Sequence, residues 1–166
     1  MRRASSLINR SNFTAANDSI NHINNQLGGT LHVIGLSDYQ GLDFTLHGSK
    51  LLTFLPRPVL VDLGGRTTKS AEIGLLGFTD EYSFVFKGTV VVLLTDKFMV
   101  AGEYRQQPRS FTPIPGLIGA PDNWWTIDAG YVINPHKTVA VGYGHFGTVA
   151  NHTANTVLGI TTKWEF

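Results

Sequence analysis

The sequence predicts an all-β fold, an antiparallel up-and-down barrel that crosses a membrane with its strands. Three observations carry this expectation. Segment after segment alternates apolar and polar residues, the period of a strand with two unlike faces. Tight turns alternate with long loops along the chain, which is the pattern of a transmembrane barrel. Charged residues fall on the face opposite the aromatic ones, inverting the soluble barrel, whose interior is its apolar core.

Residues 1–28, opening MRRASSLINRSNF, are polar with little periodicity and read as a poorly ordered or partly helical lead-in. They contain no apolar core of a signal peptide, so the chain is expected to be mature or a truncated piece of a longer one. The barrel is expected over 29–166. Its strands are read at 29–37, 42–54, 58–68, 81–94, 97–107, 123–133, 137–146 and 156–166, each bounded by Gly, Pro, Asn or Asp. Their lengths cluster near the roughly 9 to 11 residues that a tilted strand needs to cross a bilayer. Leu55-Pro56-Arg57, Thr95-Asp96 and Asn134-Pro135-His136 are tight turns, whereas 69–80, 108–122 and 147–155 are long loops and 38–41 is a short link. With Phe166 at the periplasmic end, every tight turn falls on that side and every long loop outside.

The faces sharpen the reading. The outward sets are Tyr82, Phe84, Phe86, Val90 and Val92; Phe98, Val100 and Tyr104; Trp125, Ile127 and Tyr131; and Val139, Val141 and Tyr143. Inward lie Asp62, Arg66, Lys87, Glu103, Arg105, Asp128 and Lys163, of which Lys87, Glu103, Arg105 and Asp128 fall at overlapping depths on neighbouring strands. Unpaired charge is costly in a low dielectric, so these residues are expected to form a paired network in the lumen. Tyr82, Tyr104 and Trp125 near one rim and Phe98, Tyr131, Trp164 and Phe166 near the other read as aromatic girdles. Their spacing is tight, since six residues at about 3.3 Å with a tilt near 40° rise only about 15 Å. Segment 42–54 obeys less well: Lys50 shares a face with Phe44 and Leu46, and a bulge at Gly48 or Ser49, a common device in barrels, would turn it inward. The first strand, 29–37, is the weakest.

Composition removes competitors. Charged residues make up 15% of the 166, below the roughly 25% of a soluble domain, which suits a surface partly in lipid. A net charge of +1 without a basic cluster gives a nucleic-acid backbone nothing to hold. The absence of cysteine excludes a disulfide scaffold and a thiolate metal site. No stretch approaches the roughly 18 apolar residues of a membrane helix. Gly142-Tyr143-Gly144-His145-Phe146-Gly147 matches the dinucleotide fingerprint, but a polar loop and another strand follow it where a helix is required. Histidines at 22, 32, 47, 136, 145 and 152 show no close pair with metal-ligand spacing. A barrel lipase needs a serine beside a histidine at the rim; Ser83 and His145 are the pair on offer, and no serine follows Ser110. No catalytic residue, cofactor or metal is therefore expected, and the chain does not read as an enzyme.

Thr156 to Phe166 alternate without a break and end on an aromatic. This resembles the C-terminal β-signal of Gram-negative outer-membrane barrels, which the barrel-assembly machinery recognises. More widely, LLGFTDEYSFVFKG, KFMVAGEYRQQP, NWWTIDAGYVINPHKTVAVGYGHFG and NTVLGITTKWEF resemble the C-terminal part of a proteobacterial family of outer-membrane barrel proteins of unknown function, over roughly residues 57–166. The resemblance implies the cell outer membrane as location, membrane lipid and the assembly machinery as partners, and a longer family chain. It implies no substrate, activity or catalytic residue. Two functions are expected from the whole: a pore or passive transport protein, built from more strands or an oligomer because an eight-stranded interior is just filled by side chains; or a non-conducting structural barrel whose extracellular loops, above all 108–122, bind a partner. A soluble lipocalin-like ligand binder requires the apolar faces to point inward.

Overall fold

A computed structural model describes residues 2–12, 25, 26, 28, 29, 40–70, 78–109, 113, 115, 119–149 and 152–165. The chain is all-β. Its strands are β1 (Arg2–Asn12), β2 (Gln40–Leu52), β3 (Val59–Ser70), β4 (Phe78–Leu93), β5 (Phe98–Arg105), β6 (Trp124–Asn134), β7 (Lys137–His145), β8 (Gly147–Val149), β9 (His152–Ala154) and β10 (Val157–Trp164). Eight of them form one antiparallel sheet in the order β1-β2-β3-β4-β5-β6-β7-β10, while β8 and β9 pair as a separate ribbon. The sheet is open: β1 and β10 are its two edges, and no ladder joins them among the described residues.

Local chemistry explains where the strands reverse. Thr95 Oγ1 accepts the backbone N–H groups of Lys97 and Phe98 at 3.2 and 2.9 Å, a hydroxyl-capped turn between β4 and β5. Asn134 Oδ1 accepts the His136 N–H at 2.9 Å, an Asx turn between β6 and β7. Both turns, and the bend at 53–58, lie at one end of the sheet; the C-termini of β3, β5 and β7 and the N-termini of β4, β6 and β10 lie at the other. At the turn end the β10 edge continues past its last strand residue, with Glu165 N–H donating to His136 O at 2.9 Å. Gly147, at φ 59, makes the sharp exit from β7 into β8, so the glycine-rich run Gly142–Gly147 leads from strand to strand and not into a helix.

Two expectations are corrected here. The polar lead-in contributes a strand: Arg2–Asn12 pairs along its whole length with β2, from Arg2 opposite Lys50 to Asn12 opposite Gln40. That ladder is made by backbone groups, which are indifferent to whether the side chains alternate in polarity. Of the expected first strand, 29–37, Gly29 sits in a turn with Gly28, both at positive φ, and the rest falls outside the described residues, as does Phe166. The second correction is that β2 holds no bulge. Its pairing with β3 runs without a register shift from Phe44 opposite Thr67 to Leu52 opposite Val59, so Lys50 stays on the face of Phe44 and Leu46. Irregularities occur instead at Thr68/Ser70 in β3 and at Val132/Asn134 beside a turn.

Candidate functional site

Ladder register decides which side chains share a face. From β2 to β6, Ser49, Asp62, Thr89, Glu103 and Thr126 are successive cross-strand partners, and His47, Gly64, Lys87, Arg105 and Trp124 form the parallel row. The rows offset by one residue, such as Gly48, Leu63, Gly88, Tyr104 and Trp125, belong to the opposite face. The polar face is the sheltered one. Asp43, Thr68, Ser70, Thr79 and Gln107 are buried there, and Val85 is the one buried large apolar side chain among the described residues. The other face leaves Leu46 and Phe84 65% exposed, Val141 53% and Ile160 79%.

The sheltered charges are tied in local sets. Arg66 Nη2 donates to Asp43 Oδ2 at 2.6 Å and stands 3.3 Å from Thr68 Oγ1. Asp62 takes two partners on β2: Ser49 Oγ donates to one oxygen, and His47 Nδ1 lies 3.2 Å from the other. Lys87 Nζ pairs with Glu103 at 3.4 Å, and Thr89 Oγ1 donates to the second oxygen of the same carboxylate at 3.4 Å. Thr126 Oγ1 donates to Asp128 Oδ2 at 2.9 Å. Arg105 lies with its guanidinium 5.6 Å from the centre of the Trp124 ring. Ser49, His47 and Asp62 are not a nucleophilic relay, because serine and histidine both address the carboxylate and the serine proton is not aimed at the imidazole. Ser83 and His145 are not brought together: Ser83 lies on β4 opposite Thr68, whereas His145 lies on β7, with β5 and β6 between them. Among the described residues no three His, Asp or Glu side chains converge as a metal-binding set.

With this geometry established, comparison with known proteins gives one match: residues 16–161 fit the model of a family described as a protein of unknown function, DUF3034. The chain belongs to this family. No curated protein and no solved structure matches it. β1, Arg2–Asn12, precedes the part of the chain that the DUF3034 match covers.

In this DUF3034 chain the seven charges read from the sequence as one lumen network are distributed over separate sets. Asp62, Arg66, Lys87 and Glu103 each hold partners within β2 to β5, Arg105 lies against Trp124, Asp128 is bound by a threonine of its own strand, and Lys163 on the exposed last strand pairs with Glu165 just beyond it. Sequence reasoning missed Asp43, His47 and Ser49, which complete those sets from β2. Their signal was present: Asp43, Thr45, His47 and Ser49 alternate strictly with Leu42, Phe44, Leu46 and Gly48.

Apart from Phe166, the residues read from the sequence as girdles lie on the apolar face in two bands. Tyr104 is opposite Trp125 and Trp125 opposite His145, whose ring stacks on the indole at 5.7 Å; Tyr82 lies 6.5 Å from Phe44 and has Lys69 Nζ 5.4 Å from its ring. Toward the turn end Phe98 is opposite Tyr131, and Trp164 is opposite Lys137, whose ammonium stands 3.8 Å from its ring centre. Between the bands run Val100, Ala129, Val141 and Ile160, without a charge. On β2 to β4 this face also holds an open apolar groove of about 740 Å³ between Phe44, Leu46, Leu63, Phe84 and Phe86. It runs past Gly65, where an added Cβ would stand 2.4 Å from the Phe84 ring.

Proposed function

We propose that this chain belongs in the outer membrane, where its strands form part of a β-barrel that passes small polar solutes passively, with the apolar face in lipid and the polar face lining the lumen. One observation carries the reading: the sheet shelters Asp43, Thr68, Ser70, Thr79 and Gln107 while exposing Leu46, Phe84, Ile127, Val141, Leu158 and Ile160. In water this would reverse the hydrophobic driving force along the whole sheet, whereas in a bilayer it satisfies that force. On β5 to β10 the strip between the two aromatic bands carries no charge, and with Lys137 and Lys69 at the bands themselves this supports the same orientation, to which Lys50 on β2 is the exception. No helix among the described residues is long and apolar enough to cross a membrane, a fact that bears only on helices. Eight strands close a barrel whose interior is just filled by side chains, so the conducting form requires more strands or several chains. Edges at β1 and β10 that pair with no further strand among the described residues support that requirement, because bare strand edges do not rest in lipid.

A second reading, a non-conducting barrel that binds a partner through its long loops, is favoured by order at the loop end. Gln107 N–H donates to Asn123 Oδ1 at 3.1 Å and Thr148 N–H to Asp122 Oδ2 at 3.0 Å, tying both ends of the 106–123 connection to fixed points. The purified protein, reconstituted in planar bilayers, separates the readings. Discrete conductance steps are expected for a pore; heat-modifiable insertion without conductance would assign the partner-binding barrel. A chain that stays monomeric and folded without detergent would overturn both.

A further inference from the structure

On the polar face, cationic side chains from three adjacent strands gather round one cavity. It measures about 170 Å³, and His47, Arg66, Lys87 and Arg105 are among its lining residues while no carboxylate is. Register creates the cluster. Lys87 and Arg105 are direct cross-strand partners, and Gly64, the partner of Lys87 on its other side, has no side chain to fill the space; a Cβ there would stand 2.3 Å from the His47 ring. Arg66 is offset by one row and enters from the same face.

Like charges directly opposite each other destabilise a strand pair, so this arrangement has a cost that needs a counter-charge. Arg66 and Lys87 have theirs in Asp43 and Glu103. Arg105 makes no ion pair among the described residues; its contact is the face of Trp124, which leaves the guanidinium N–H donors in the ring plane directed elsewhere. Two residues along the same face, Gln107 is 3% exposed, and its side-chain Nε2 is a buried donor with no hydrogen-bond partner among the described residues. The cavity lining itself holds three cations and no carboxylate, and Arg105 donors without an acceptor among the described residues call for one that brings negative charge.

We propose that this cavity is a binding site for a small oxyanion, a carboxylate or a phosphate, with Arg105 as its principal ligand and Arg66 and Lys87 supplying field. A planar guanidinium matches either group in a two-point fork, and the volume suits a single such group with little attached. The proposal rests on the preceding section only in taking the polar face to be the sheltered one. Its test reads binding and not conductance, so the two proposals fail separately.

The protein refolded in detergent is titrated calorimetrically with inorganic phosphate and, separately, with acetate, at low ionic strength. Saturable binding of at least one is expected, and which one binds tighter identifies the group. Arg105→Gln should weaken it by at least about tenfold, the loss expected for one charge-assisted contact. Arg105→Lys, which keeps the charge and loses the fork, should fall between. Because Arg105 holds no carboxylate, its removal strands no partner, and heat-modifiable mobility should be unchanged. Lys97→Gln, at the exposed turn between β4 and β5, is the control for general charge. Binding absent from the parent protein, unaltered by Arg105→Gln, or weakened as much by Lys97→Gln would overturn the site.

Discussion

Asp43 and Phe44 are adjacent in the chain and opposite in environment: the carboxylate residue is 5% exposed and the phenyl residue 46%. The same contrast runs across the sheet, between the face of Arg66, Lys87 and Glu103 and the face of Phe84, Val141 and Ile160. What the difference teaches is how each face is stabilised. The polar face is held by named pairs, each a carboxylate with an arginine, lysine, histidine or hydroxyl, so its energy is concentrated in a few geometries. The apolar face has few specific contacts beyond ring pairs such as Trp125 with Tyr143 at 5.6 Å, and its energy comes from the medium that covers it.

That contrast can be broken at three points. Val141 lies mid-strand on the chargeless strip, 53% exposed, between Ala129 and Ile160. Val141→Arg should cost about 2 to 4 kcal/mol in the reconstituted protein, the penalty for a cation facing mid-bilayer lipid. Denaturant titration in lipid vesicles measures it; a change within about 0.5 kcal/mol, the usual effect at a water-exposed site, would mean that this face meets water. A smaller loss, about 2 kcal/mol by the same titration, is expected for Arg66→Ala, because it strands the buried Asp43 carboxylate. Asp43→Asn added to that variant should restore part of the loss; an Arg66→Ala variant as stable as the parent would show that the pair is incidental. The smallest effect, at most about 1 kcal/mol in either direction, is expected for Lys50→Leu, since Lys50 lies two residues from the end of β2 and its stem can carry the ammonium toward the turn end. A loss as large as that of Val141→Arg would show that Lys50 makes a bond on which the strand depends.

Most of the sheet was legible in the sequence because two-residue periodicity is a strong signal wherever one face is apolar. From β2 to β10 every strand of the large sheet starts and ends within three residues of its expected position. β1 was not legible: in Arg2–Asn12 the two large apolar residues, Leu7 and Ile8, are adjacent, so no alternation marks it. The ribbon β8–β9 was hidden for a related reason, since three-residue strands are too short to show a period. The site was half legible. Periodicity assigned Asp62, Arg66, Lys87 and Glu103 to one face, but their partners depend on register between strands, which the pattern within one strand does not carry.

The meander also sets an order of events in folding. Nearly every ladder joins strands that are neighbours in the chain, so the sheet can grow hairpin by hairpin from local contacts, the fast route for a β protein. Any joining of its two edges is different in kind, for β1 and β10 are separated by roughly 150 residues. A loop that long costs about 2 kcal/mol more to close than a hairpin of some twenty residues, because each doubling of length adds about 0.6 kcal/mol. Any such joining is therefore slower than the hairpins, and without it the outward backbone groups of both β1 and β10 stay open to whichever strand reaches them first.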